Sequence, residues 1–192
     1  PRTGGYLDFI DEKIKNANRD IKVLNLFAYT GGATVAAAKA GASVVHVDAA
    51  KGMVLWAKEN AVSSGLADAP IRYIVDDVIK FVCREIRRGN KYDAIIMDPP
   101  TYGRGPNGEV WKFEDELYPL IEKCMSLLSD NPLFMIVNSY TSNVSSTVVK
   151  NVLELSAKAK FGGYVTNDEI AIPVKNSGIC LPCGAATRWI SK

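Results

Sequence analysis

Asp98, Pro99, Pro100, Thr101 and Tyr102 stand in one run, directly behind the apolar stretch Ala94-Ile95-Ile96-Met97. A carboxylate accepts N–H groups, stiff prolyl carbonyls accept beside it, and a phenol ring stacks on flat molecules. Together they suit a pocket for a flat, polar group such as a nucleobase. An apolar run of this length fits a parallel strand buried on both faces. Neither proline can donate a ladder hydrogen bond, so pairing must end at Asp98. The chain then leaves as a rigid loop at the carboxyl edge of a sheet, where open α/β folds bind ligands. The bland alternatives are a strand terminator for Asp98 and loop packing for Tyr102.

A second group of residues precedes this one. Residues 23–34 read VLNLFAYTGGAT, an apolar strand followed by Phe27, Ala28, Tyr29, Thr30, Gly31 and Gly32 and then a helix start. Glycine here allows a tight turn and close approach of backbone to ligand. The spacing is not G-x-G-x-x-G, so the dinucleotide fingerprint is absent and a pyrophosphate is disfavoured. A plain strand-to-helix turn explains these residues equally well until Asp48 is added. Asp48, followed by Ala49, ends the next strand 17 residues after Gly31, where an acid meets vicinal ribose hydroxyls. Asp76 and Asp77 close a third strand in the same way, Asp77 being the better candidate for an adenine amino group. Helix capping is the competing role for this pair, and both can hold at once. Ribose and adenine without a phosphate signature point to S-adenosylmethionine (SAM) rather than NAD or ATP.

The elements that must position these groups alternate almost throughout. Helical patterns cover 6–18, 34–40, 51–64, 78–88, 114–128 and 147–159, and strands cover 23–27, 43–47, 71–75, 92–97 and 133–137. A Gly- and Pro-rich loop of about a dozen residues separates the fourth strand from its helix. Two last strands, 164–174 and 179–190, flank the turn Lys175-Asn176-Ser177-Gly178, a hairpin signal. Repeated βα units demand right-handed crossovers and a parallel sheet. The expected fold is α/β, a Rossmann-like, doubly wound, mostly parallel seven-stranded sheet with a C-terminal antiparallel hairpin, in one domain over 1–192.

Composition narrows the partners. Twenty-three Lys and Arg balance 21 Asp and Glu among 192 residues, a charge too even for gripping long nucleic acid through this domain alone. A local basic patch or a separate domain can still supply that charge. No apolar run approaches a membrane span of roughly 20 residues, and no signal peptide is expected. The chain opens on Pro1, and an upstream N-terminal region is expected to be missing. Cys83 and Cys124 fit as small buried residues of a reducing cytoplasm. Cys180 and Cys183 form a C-x-x-C, but zinc needs two more ligands and His46 is the sole histidine. No metal is expected, and His46, inside a strand, reads as a core residue.

The order VLNLFAYTGG, VVHVDAA, Asp76-Asp77 and DPPTYG resembles a class I SAM-dependent methyltransferase. More narrowly, it is similar to the bacterial family of large-subunit rRNA cytosine-C5 and guanine-N2 methyltransferases, over nearly the whole chain, in a branch with Gly103-Arg104-Gly105 and Glu109-Val110-Trp111. The resemblance implies SAM contacts at 28–32, Asp48, Asp77 and Asp98, an RNA partner, expected to be rRNA, and a cytoplasmic location. Cytosine C5 is a poor nucleophile and requires prior thiolate attack. The family's cysteine belongs just after the fifth strand, where this chain has Asn138-Ser139-Tyr140-Thr141; the second position, in the proline loop, holds Pro100. No other cysteine is expected at that edge. An exocyclic amine suits the residues better: Asp98 accepts one N–H, the Pro99 carbonyl the other, and Tyr102 stacks the base. Arg104 is the candidate phosphate contact, in a loop, 103–109, able to close over substrate. Trp111 and Phe113 are expected to anchor the next helix. Cytosine-C5 methylation, a protein or small-molecule acceptor, and a non-catalytic SAM-binding module are the rival readings.

Overall fold

A computed structural model describes residues 5–105, 108, 110–140 and 144–192. Five parallel strands form the centre: β1 (Lys22–Leu26), β2 (Ser43–Asp48), β3 (Ile71–Val75), β4 (Ala94–Met97) and β7 (Phe134–Ser139). The hairpin β8 (Tyr164–Pro173) and β9 (Cys180–Ile190) completes a seven-stranded sheet of order β3-β2-β1-β4-β7-β9-β8. β9 pairs antiparallel with both β7 and β8. The order reverses at β1, which lies between β2 and β4, and the crevice opened by such a reversal is where α/β sheets bind ligands.

The continuous apolar strands have a simple cause. Successive side chains point to opposite faces, and both faces are covered. Val23, Ala94, Ile96, Phe134 and Ile136 pack with Ile10 and Ile14 of α1 (Tyr6–Asn16) and with Ala33, Ala37 and Ala38 of α2 (Gly32–Lys39). Leu24, Leu26, Ile95, Met97, Met135 and Val137 form the other core with α4 (Val78–Arg87) and α5 (Phe113–Met125). α3 (Lys51–Ser63) returns the chain from β2 to β3. After β7, α6 (Ser146–Leu153) runs through a π-helical segment, Glu154–Lys158, into the short α7 (Ala159–Phe161).

Two local expectations are corrected. The fourth strand starts at Ala94, not at Tyr92, which makes only an isolated bridge to Leu128. The Tyr92 hydroxyl is drawn away to donate to buried Glu85 at 2.6 Å. The Gly- and Pro-rich loop also contains a small hairpin, β5 (Tyr102–Arg104) against β6 (Val110–Lys112). Three-residue strands carry too few side chains to reveal a period of two. Pro106, Asn107 and Glu109 of the expected closing loop, and Thr141 after Tyr140, lie outside the described residues.

Candidate active site

The strand ends converge on one cavity of about 810 Å³, lined among others by Phe27, Tyr29, Asp48, Ala49, Asp77, Val78, Ile79, Asp98, Pro100, Arg104, Trp111 and Tyr140. Its first wall is the loop after β1. Phe27 and Tyr29 sit at φ 52° and 47°, and Gly31 at φ 84°. Non-glycine residues rarely occupy the left-handed region, and such strain persists only where the surroundings hold it. Here β2 holds it: Ala28 N–H donates to the Val47 carbonyl at 3.0 Å. Tyr29 N–H donates to Asp48 Oδ2 at 2.8 Å, while Ala50 N–H donates to Asp48 Oδ1 at 2.9 Å. Asp48 is therefore locked in place, with lone pairs left over on a cavity wall. At Gly31 a side chain would also meet Ala57, a Cβ there falling 3.0 Å from Ala57 Cβ.

A buried polar chain supports this loop from beneath. Asn25 Nδ2 donates to Thr34 Oγ1, which shares a hydrogen bond with His46 Nδ1, both at 2.9 Å. His46 lies in the core at 0% exposure. Burial lowers its pKa to about 4, against a smaller opposing pull from Asp48. A folded pKa below the unfolded value near 6.5 gives stability that is complete above pH 6.5 and is lost as pH falls toward 4. The full span corresponds to about 3 kcal/mol. Urea denaturation should therefore show wild type losing stability between pH 7 and 5, with His46→Phe losing markedly less over the same interval.

The second wall is the start of α4. Asp77 caps that helix by accepting Lys80 N–H at 2.9 Å, and it also lines the cavity with Val78 and Ile79. Cap and ligand contact thus coexist in one side chain, beside an apolar surface suited to a flat ring. Asp76 does not reach the cavity lining. Its carboxylate is committed to Arg84 and to the Asp77 N–H, a demand invisible in the pair's sequence.

Asp98 forms the third wall. Its N–H still donates to the Leu26 carbonyl at 3.2 Å, and pairing stops there, as the prolines require. Oδ2 accepts the Tyr140 hydroxyl at 3.0 Å, whereas Oδ1 is buried and has no hydrogen-bond partner in the structure. Burial raises the Asp98 pKa, and the Tyr140 hydrogen bond opposes that rise. Pro99 is buried below the lining and Pro100 is on it, but the Pro100 carbonyl accepts Trp111 Nε1 at 2.6 Å. Trp111 also packs on Phe27, ring centroids 4.7 Å apart. It is both an anchor and a cavity wall, where only anchoring was expected, whereas Phe113 is buried in the core.

The remaining candidates divide. Ala28, Thr30, Gly31 and Gly32 shape the β1 loop without lining the cavity. Arg104 lines it and donates through Nε to the Tyr102 hydroxyl at 3.1 Å; Tyr102 itself is 51% exposed and stands outside the lining. Two contacts were missed. Tyr140 reaches Asp98, and Tyr6 on α1 feels that charge, its pKa being pushed up to about 12 by burial first and Asp98 second. Cys183 also lies near Tyr140, whose pKa it helps to raise. The expectation of no further thiol at this edge is thereby corrected. β9 runs antiparallel, so its early residues come to the carboxyl edge.

Asp48 and Asp77 beside an apolar strip, with an unpartnered Asp98 oxygen further along, fit a nucleoside with a reactive substituent. The family model described as S-adenosylmethionine-dependent methyltransferase matches residues 2–124. The chain belongs to that family. SAM is accordingly its cofactor, and Phe27, Tyr29, Asp48 and Asp77 line the cavity at the strand ends. It is 31% identical to "Ribosomal RNA large subunit methyltransferase K/L" of Shewanella frigidimarina (strain NCIMB 400), over 88% of this chain and 24% of the relative. It is 38% identical to "Ribosomal RNA large subunit methyltransferase I" of Enterobacter sp. (strain 638), over 53% of this chain and 26% of the relative. Among solved structures, a SAM-dependent methyltransferase from Agrobacterium tumefaciens superposes with TM-score 0.92 at 39% identity, covering 97% of this chain and 61% of that one. A methyltransferase complexed with SAH superposes at TM-score 0.73 and 26% identity, covering 99% and 51%. The chain thus spans about a quarter of the length of these two rRNA methyltransferase relatives. Among the described residues no group of three or more His, Cys, Asp or Glu is placed to hold a metal, and no helix is long and apolar enough to cross a membrane.

Proposed function

We propose that this methyltransferase domain modifies an exocyclic base nitrogen in RNA, with large-subunit rRNA as the substrate. The observation that carries the target atom is Asp98 Oδ1, a buried acceptor without a donor. A base amine supplies the missing N–H, and orientation of the nitrogen follows from that one hydrogen bond. SAM supplies an activated methyl on a sulfonium. Asp98, lifted in pKa by its burial, takes the proton that the amine must shed. Trp111 and Phe27 exclude water from the cavity wall. Arg104, exposed at the rim, meets a backbone phosphate. The two rRNA methyltransferase relatives support RNA as the partner. Mass spectrometry of rRNA nucleosides from a strain deleted for the gene should show loss of one N-methylated base. Loss of 5-methylcytidine instead would contradict the amine assignment.

A second reading has one observation in its favour, the Cys183 thiol beside Tyr140. Cytosine-C5 methylation by that thiol predicts a covalent complex with 5-fluorocytosine RNA that Cys183→Ala abolishes. The amine reading predicts no such complex.

A further inference from the structure

Asp98 is the one carboxylate of the lining with a buried oxygen lacking a partner among the described residues. Its other oxygen is held by a hydroxyl from a different strand: Tyr140 follows β7, whereas Asp98 follows β4. β4 and β7 pair in parallel with Met97 opposite Val137, so both residues leave the same edge of the sheet. The Tyr140 hydroxyl has one hydrogen, and Asp98 Oδ2 takes it. That bond fixes the plane of the carboxylate and leaves Oδ1 as the acceptor for whatever enters.

We propose that Tyr140 is the positioning residue of Asp98, fixing one carboxylate oxygen so that the other selects an acceptor atom bearing hydrogen. The inference rests on the amine reading for its substrate but not for the Tyr140–Asp98 coupling itself. An acceptor atom with an N–H satisfies Oδ1, and one without leaves a buried carboxylate oxygen unpaired, which is the stronger form of discrimination. The sequence position that holds a cysteine in a carbon-methylating enzyme thereby serves to orient a base for nitrogen. Other titratable groups bear on the pair. Tyr6 faces it from α1 and Cys183 from β9, and Tyr29, Asp48, Asp77, Lys80 and Arg104 complete the ionisable lining.

The test is Tyr140→Phe, read in two ways. In the first, ¹³C NMR follows the Asp98 carboxyl in the intact protein without substrate, assigned by its absence in Asp98→Asn. The Asp98 titration should move to higher pH in Tyr140→Phe, because the hydrogen bond that opposes its raised pKa is gone. In the second, kcat on RNA should fall about tenfold, the scale of one hydrogen bond to a charged group, with the acid limb of the pH profile moving the same way and SAM affinity unchanged. If Tyr140→Phe does not fold, 3,5-difluorotyrosine at position 140 replaces it. A more acidic hydroxyl donates more strongly and should shift the Asp98 titration to lower pH. An Asp98 titration unmoved by either substitution overturns the proposal. A shifted titration in a protein whose RNA product carries no N-methyl base supports the coupling and overturns the amine reading instead.

Discussion

Asp98→Asn is expected to yield a folded protein that binds SAM, melts at higher temperature than wild type and transfers methyl groups at least about 100-fold more slowly. The rate loss follows from the chemistry of the site. Asparagine can still accept the Tyr140 hydroxyl, but it cannot take up a proton, and its NH₂ repels the amine that the carboxylate attracted. The stability gain follows from linkage. Burial raises the folded pKa of Asp98 above its unfolded value, so the folded protein binds the proton more readily. The charged form therefore costs stability at neutral pH, and that cost disappears as pH falls through the folded pKa. The melting temperature should therefore rise at pH 7, and its difference from wild type should shrink at pH 4. Differential scanning fluorimetry at pH 7 and at pH 4, beside a single-turnover methylation assay, separates the two effects. An active Asp98→Asn, or one destabilised at pH 7, contradicts the assigned role.

Asp48→Ala should abolish the cofactor site more completely than any other single truncation in the cavity. The carboxylate does two jobs at once. In the proposed site it presents lone pairs to ribose hydroxyls, and in the structure it pins Tyr29 N–H and Ala50 N–H at 2.8 and 2.9 Å. Removing it deletes charge-assisted hydrogen bonds to the ligand and frees a loop whose Phe27 and Tyr29 sit in the left-handed region. A loss of about 3 kcal/mol, or roughly a hundredfold in Kd, is expected from the ligand bonds alone. Isothermal calorimetry with SAM measures it directly, and circular dichroism confirms that the sheet persists. Undiminished binding would remove Asp48 from the site.

The fold was legible because its signals are strong and redundant. Buried parallel strands read as unbroken apolar runs, glycines followed helix ends at Gly41, Gly65 and Gly89, and both prolines after Asp98 forbade further pairing. That Asp48, Asp77 and Asp98 line one cavity was legible for the same reason: each ends a strand, and strand ends converge on one edge. What sequence spacing could not reveal is what reaches across. Asp76 looks identical to Asp77 in the chain, yet Arg84 eight residues later claims it. Tyr140 was noticed as a missing cysteine, and its bond to Asp98 depends on the pairing of β4 with β7 across 42 residues. No further cysteine was expected at this edge, and the antiparallel direction of β9 brings Cys183, near the start of that strand, to it. Tyr102 shows the converse, a residue of the right type at the right spacing that the β5–β6 hairpin turns outward.

Incubation of the protein with SAM bearing a trideuterated methyl and unmodified large-subunit rRNA, followed by nucleoside mass spectrometry, tests the central claim most directly. A deuterated methyl on an exocyclic base nitrogen, absent with Asp98→Asn, is the expected product. Label on a ring carbon, or no label in RNA while SAM binds normally, would contradict it.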